Sequence, residues 1–178
     1  MPASGVDRRI GPEHGRLVVH TSREGLAAHA GHDLAIELTR WSGRLRFGID
    51  PAATELAVTV DMGSMRIAGA TGGITPLSER EKDEILRNAG KILAVARYPE
   101  ATFAGKKISD DAVAGTLTLL GRPHELRLAY QVDGDRYRAS GVVRQADYGI
   151  KPFSALFGAL KLADAVRVEA ELDLSSRS

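Results

Sequence analysis

Alternation of apolar and polar residues with a period of two runs through most of this chain, and it constrains the fold more than any other feature. Between residues 34 and 39, Leu34, Ile36 and Leu38 alternate with Ala35, Glu37 and Thr39. This pattern is typical of a β-strand with one buried face. Trp41-Ser42-Gly43 interrupts the run, and the alternation resumes at Leu45. We therefore predict two strands joined as a hairpin.

The same alternation recurs along the chain and predicts a sheet of about eight strands. Asp133-Gly134-Asp135 has the composition of a tight hairpin turn between two of them. The further strands are predicted at residues 16–22, 56–62, 101–108, 113–119, 126–132, 137–143 and 166–174.

One helix interrupts the strands. Ser78-Glu79-Arg80-Glu81 has the spacing of a capping box, and apolar residues at helical spacing follow it up to Pro99, where we expect the helix to end. The glycine-rich residues 65–76 before it predict a flexible loop that forms a flap over one end of the sheet. Residues 147–164 predict a loop with a short apolar helical segment.

These elements predict a mainly β protein, an antiparallel lipocalin-like barrel of about eight strands with one inserted α-helix and a short helical segment. Closing the sheet protects the edge strands, and eight strands leave an interior that is either filled or wide enough for one ligand. We expect a flexible N-terminal arm at residues 1–15 and a single domain at 16–178, which suits a chain of 178 residues.

The bulk composition excludes several functional classes. A net charge of +1 gives no field that would attract nucleic acid, and no apolar run approaches the length of a transmembrane segment. The chain has no cysteine, so disulfides and thiolate chemistry are excluded. No signal peptide is recognisable at the N-terminus, and we therefore expect a cytoplasmic location.

Six short motifs occur in an order that resembles the YceI-like family and cover nearly the whole chain from about residue 16. The resemblance implies a barrel with an elongated apolar cavity that binds a polyisoprenoid or a similar amphiphile, and a binding protein in place of an enzyme. The motifs are WSG at 41–43, DMGSM at 61–65, SEREKDEIL at 78–86, RYPEATF at 97–103, GTLTLLGRPHEL at 115–126 and DYGIKP at 147–152.

We accordingly expect the chain to sequester or transport a long apolar ligand of the isoprenoid or fatty-acyl type, without a cofactor. Basic residues in or beside the mobile segments are candidates for binding a polar headgroup, namely Arg66, Lys151 and Lys161. The residues predicted to line the cavity are Ile36, Phe47, Val58, Val60, Phe103, Leu117, Leu128, Tyr130, Phe153 and Phe157.

Two alternatives stay open at the level of sequence. His29, His32 and Asp33 supply imidazole and carboxylate groups that zinc or iron accepts, which would suit a metal-dependent enzyme. Hydrogen bonding between His32, Asp33 and the loop backbone explains the same residues without a metal. A filled barrel would instead indicate a ligand-free structural module that serves to form a homodimer.

Overall fold

The computed structural model describes residues 5–175, and these form fourteen strands and one α-helix. The helix, α1, spans Glu79–Ile92. The strands are β1 (Val6–Ile10), β2 (Gly15–Thr21), β3 (Arg23–Glu24), β4 (His32–Leu38), β5 (Trp41–Phe47), β6 (Glu55–Asp61), β7 (Met65–Gly72), β8 (Glu100–Ser109), β9 (Ala112–Leu119), β10 (Arg122–Asp133), β11 (Arg136–Arg144), β12 (Ser154–Ala155), β13 (Leu160–Leu162) and β14 (Ala165–Asp173).

Eleven of these strands form one antiparallel sheet within the described residues. Its order is β1-β5-β6-β8-β9-β10-β11-β14-β2-β4-β7, and a small second sheet has the order β12-β13-β3. The prediction of a mainly β, antiparallel fold with one helix is confirmed. The predicted count of about eight strands is too low, because β1 and β7 lie in segments expected to be loose and β3, β12 and β13 are only two or three residues long.

The sheet is strongly curled, and the chain itself requires this. Strands β4 and β5 occupy the tenth and second places in the sheet order, which in a flat sheet would separate them by about 38 Å. Only Thr39 and Arg40 connect them, and so short a segment spans at most about 11 Å. The two ends of the sheet therefore meet at this corner.

The predicted hairpin between residues 34–39 and the segment after Trp41 is wrong. Strand β4 pairs with β2 and β7, whereas β5 pairs with β1 and β6. Trp41 is the first residue of β5 and is buried, so it continues the chain around the corner. The hairpin predicted at Asp133-Gly134-Asp135 is confirmed, with Gly134 at φ 59° between the paired strands β10 and β11.

A buried serine holds this corner together. The Ser64 backbone carbonyl accepts hydrogen bonds from the Thr39 amide (3.1 Å) and hydroxyl (3.0 Å), and the Ser64 hydroxyl oxygen accepts one from the Arg40 amide (3.0 Å). The same hydroxyl donates to the Asp61 carbonyl at 2.7 Å. Hydrogen bonds from the Arg40 guanidinium and the Gly63 amide keep the pKa of the exposed Asp61 carboxyl below its ordinary value.

Two segments expected to be loose are partly strand. Residues 6–10 of the predicted N-terminal arm form β1, which pairs along its length with β5; residues 1–4 lie outside the described part of the chain. Residues 65–72 of the predicted flap form β7, which pairs with β4. Glycine has a low propensity for β-strands, so the glycine-rich sequence predicted a loop. Pairing of β7 with the neighbouring strand β4 outweighs this low propensity.

Helix α1 begins as predicted and ends earlier. The Ser78 hydroxyl accepts from the Glu81 amide at 3.3 Å, and the Glu81 carboxylate accepts from the Ser78 amide at 2.7 Å, which confirms the capping box. The helix ends at Ile92, and Ala94 then adopts a left-handed backbone with φ 46°. Within residues 5–175 no helix combines the length and the apolar character that crossing a bilayer requires.

Candidate functional site

The inner face of the curled sheet is a continuous apolar surface. Residues directly opposite one another on paired strands share a face, so the register assigns the rows around the sheet. One row runs from Val58 through Phe103 to Leu117. Two hydrophobic clusters cover this face, one around Phe103 and the other around Trp41.

The outer face carries charges in complementary pairs. Arg136 lies opposite Asp173, and their side chains are 3.3 Å apart. Arg138 faces Glu171 across the same two strands, also at 3.3 Å. This separation of apolar and charged faces identifies the inner surface as the candidate site.

Most of the inner side chains are half-buried, although they lie on central strands. Val58, Val60, Leu117 and Leu128 all belong to this group. Since neighbouring strands cover each of them on both sides, the exposed part must face the inner space. Among the described residues no large side chain is completely buried. Other side chains therefore cover this part of the inner face only partly.

The total surface area agrees with an open interior. The accessible surface is 10977 Å², about 30% more than the roughly 8,400 Å² expected for a compact monomer of this mass. The exposed part of the inner face contributes to this excess, together with exposed loops such as those of Leu26 and Phe157.

Glycines on the inner face let neighbouring side chains lie flat against the sheet. A Cβ atom at Gly105 would lie 2.7 Å from the Phe103 ring, and one at Gly141 would lie 2.8 Å from Cδ2 of Leu128. Both side chains thus lean over glycine and not toward the centre. This device keeps space open, and sequence reasoning missed it; glycine within an alternating strand is the signal that could have found it.

The structure places the predicted lining residues in two groups. Those on the main sheet lie on the inner face or pack in its two clusters, with Tyr130 half-buried and donating from its hydroxyl to the Ser109 carbonyl at 3.4 Å. Phe153 and Phe157 are exposed and lie outside the eleven-stranded sheet. The inner-face group consists of Ile36, Phe47, Val58, Val60, Phe103, Leu117, Leu128 and Tyr130.

The three basic headgroup candidates lie in different surroundings. Arg66 is on the outer face, where it and Arg16 form ion pairs with Glu37. Burial alone would raise the pKa of Glu37, but the two arginines outweigh it and hold the pKa below its ordinary value. Lys161 lies 3.5 Å from Glu24. Lys151 is exposed. Arg66 therefore does not point into the inner space.

The proposed metal ligands are engaged with protein groups. Asp33 accepts a hydrogen bond from the Arg23 amide at 2.9 Å, and the His32 Nε2 atom donates to the Thr75 carbonyl at 2.8 Å. His29 is exposed on a short turn at Ala28–Ala30. Over residues 5–175 no group of three or more histidine, aspartate or glutamate side chains is placed to hold a metal ion. His32 and Asp33 thus each hydrogen-bond to a backbone group of a neighbouring segment.

An aromatic pair not anticipated from the sequence lies against the first cluster. The ring of His124 on β10 meets that of Tyr148 edge to face, with centroids 4.9 Å apart. Tyr148 is buried, and desolvation, with the nearby Asp147 carboxylate, raises the pKa of its phenol. Its aromatic ring packs in the cluster around Phe103, just after β11, and the tyrosine of DYGIKP is the sequence signal for it.

A groove of about 540 Å³ also crosses the outer face, over strands β5, β6, β8 and β9. Its floor is alanine and glycine, and its walls carry charge from Arg44, Arg46, Glu55 and Lys106. Arg46 is held by Asp7 at 3.1 Å. The charged walls of this groove contrast with the apolar inner face.

Fold and inner face together define a class of protein, a curled antiparallel sheet that encloses an accessible apolar interior. A family model for the YceI-like domain matches residues 9–174. The chain belongs to the YceI-like family.

Two individual proteins resemble it. A UPF0312 protein of Enterobacter sp. (strain 638) is 30% identical over 115 residues, which cover 57% of this chain and 54% of that protein, so the match spans about half the length of the relative. The crystal structure of BcnA from Burkholderia cenocepacia superposes with a TM-score of 0.60 at 16% identity, covering 89% of this chain and 94% of BcnA. The second likeness is one of fold.

Proposed function

We propose that this protein binds one long apolar or amphipathic ligand, of the polyisoprenoid or fatty-acyl type, inside the curled sheet, and that it sequesters or transports this ligand. The observation that carries the proposal is the partial exposure of apolar side chains on central strands, Leu117 and Leu128 among them. Membership of the YceI-like family supports a binding role.

The energetics favour a long hydrocarbon. Each methylene removed from water contributes about 0.8 kcal/mol, so one five-carbon isoprene unit contributes roughly 4 kcal/mol before association costs. Association costs about 4–15 kcal/mol, which several such units exceed. No catalytic group is needed for tight binding of this kind, and we propose a carrier and not an enzyme.

We propose that the inner-face residues Val58, Val60 and Leu117 contact the chain of the ligand. For a charged headgroup we propose Lys151, which follows the buried Ile150 and is itself exposed. Substitution Lys151→Ala should then weaken binding of a fatty acid more than that of the corresponding alcohol. Equal losses for both would remove Lys151 from this role.

A matched pair of alanine substitutions tests the site. Ala139 lies on the inner face between Tyr130 and Ala170, whereas Ala104 is exposed on the outer face of β8. Delipidated protein is titrated with a fluorescent C18 polyene fatty acid and, in competition, with a C20 isoprenoid alcohol. We expect one site per chain, at least tenfold weaker binding for Ala139→Phe, and binding within twofold of the parent for Ala104→Phe.

Circular dichroism shows whether both variants fold, so a loss of binding can be read as occupation of the inner space. Equal affinity of the two variants would place the ligand elsewhere. Failure of the parent protein to take up either probe would contradict the proposal and favour a structural module.

A further inference from the structure

The largest exposed apolar side chains near one end of the sheet lie on loops that pack together. Leu26 is 97% exposed, Leu156 is 58% exposed, and Phe157 is fully exposed. The Ala27 amide donates to the Ala159 carbonyl at 2.8 Å, so the two loop tips are joined backbone to backbone. We call Leu26, Leu156 and Phe157 the apolar tip.

Strand pairing joins the two loops of this tip. Strand β13 pairs with β12 on one side and with β3 on the other, which fixes the loop at 156–159 to the loop after β3. Arg23 of β3 donates from its guanidinium to the Gly31 carbonyl and, at 3.3 Å, to the Thr71 carbonyl. Exposure of the tip is therefore built into the fold and does not reflect a loose end.

Two residues of the apolar tip adopt a backbone conformation that is energetically unfavourable for them. Leu156 and Phe157 both adopt left-handed conformations, with φ 52° and 54°, which residues with a Cβ atom avoid. An ordinary turn with polar residues would connect β12 and β13 without this strain. Strained residues that also expose large apolar groups mark a functional surface.

The sequence around the tip carries no charge until its margins. Residues 25–31 and 153–160 contain no aspartate, glutamate, lysine or arginine; Lys151 and Lys161 bracket the second segment, and Lys161 lies 3.5 Å from Glu24, which precedes the first. A third loop carries Ile74, which is 75% exposed, and its Thr75 carbonyl accepts a hydrogen bond from His32. Apolar loop ends with the exposed Lys151 behind them match the layers of a lipid bilayer, hydrocarbon first and phosphate next.

We propose that the apolar tip inserts into the surface of a lipid membrane. A second copy of the chain fits less well, because a few side chains on separate loop ends fall short of the roughly 800 Å² per partner of a stable interface. A bilayer needs neither a complementary shape nor hydrogen bonds from its partner. The insertion does not depend on which ligand the interior binds, although it would bring the sheet to a source of lipid.

Vesicle binding tests this proposal with the full chain. Sedimentation with 100 nm vesicles of phosphatidylcholine and phosphatidylglycerol compares the parent with the double variant Leu156→Asn/Phe157→Asn, since asparagine tolerates a left-handed backbone. The control is Ile49→Asn, which removes a side chain that is 70% exposed on the β5–β6 connection. Because each inserted side chain contributes roughly ten- to a hundredfold to partitioning, we expect at least a tenfold loss for the double variant and less than twofold for the control.

Further readouts separate the outcomes. Leu26→Asn, on the other loop, should also weaken vesicle binding, and all variants should keep the parent's uptake of the soluble fatty-acid probe. A parent protein that ignores both pure phosphatidylcholine and mixed vesicles, or a double variant that binds like the parent, would overturn the proposal. So would a concentration-dependent dimer, seen by sedimentation velocity, that the double variant abolishes.

Discussion

Truncating two leucines on one face of one strand measures whether the interior is open. Leu126 and Leu128 both lie on the inner face of β10, two residues apart. Leu126 is buried, with 7% of its surface exposed, whereas Leu128 is half-buried and leans over Gly141. We compare Leu126→Ala with Leu128→Ala in protein freed of ligand.

The expected costs differ because only one site leaves a cavity. Leu126→Ala removes packed atoms and creates a void, which costs about 3 kcal/mol. Leu128→Ala removes a side chain that is already partly exposed on the inner face. It should therefore cost about 1 kcal/mol of transfer free energy and create little new cavity volume. For a chain of this size each kcal/mol lowers Tm by roughly 2–4 °C, giving about 6–12 °C against about 2–4 °C.

Urea and thermal unfolding monitored by circular dichroism give both free energies. Ligand must be extracted first, because a ligand at a hundred times its Kd adds about 2.7 kcal/mol and masks the difference. Equal costs near 3 kcal/mol for both variants would show that side chains fill the interior, which would refute the reasoning.

Three further predictions concern the parts that support this interior. The pKa of Glu37 is lowered from 4.5, so its ion pairs stabilise the fold above pH 4.5, and this stability is lost as the pH falls through the pKa of the folded state. Glu37→Gln should therefore reduce the loss of unfolding free energy at acid pH. An unchanged loss at acid pH would exclude these ion pairs as its cause. Ser64→Ala should lower the free energy of unfolding in urea by roughly 1–3 kcal/mol, because it leaves buried hydrogen-bonding partners at the β4–β5 corner unpaired. The control Ser42→Ala removes an exposed hydroxyl and should cost under about 0.5 kcal/mol. Similar losses for both variants would refute the stabilising role of Ser64 at this corner. Ser78→Ala should remove the capping box at a cost of about 0.5–2 kcal/mol; amide exchange should quicken first in α1, and uniform quickening would contradict a local effect.

Local patterns predicted the elements that depend on local physics. Alternation located the long strands, the capping box at Ser78 located the start of α1, and the turn at residues 133–135 located a hairpin. In each case the decisive interactions lie within a few residues of one another.

The wrong predictions depend on partners distant in sequence. Trp41-Ser42-Gly43 resembles a turn, but Trp41 pairs with Val60 and continues the chain around a corner, which no neighbouring residue reveals. The inward-facing residues could be predicted only on strands whose neighbouring strands also alternate between apolar and polar residues. Phe157 is fully exposed on a left-handed backbone between β12 and β13, and a phenylalanine in an apolar loop gives no sign of it.

Native mass spectrometry of the protein as purified, with organic extraction and identification of any small molecule released, tests the central claim most directly. The account predicts a prenyl or acyl species at close to one per chain, or an empty chain that takes up one added long-chain isoprenoid or fatty acid. A chain that is empty as purified and stays empty when such lipids are supplied would contradict it.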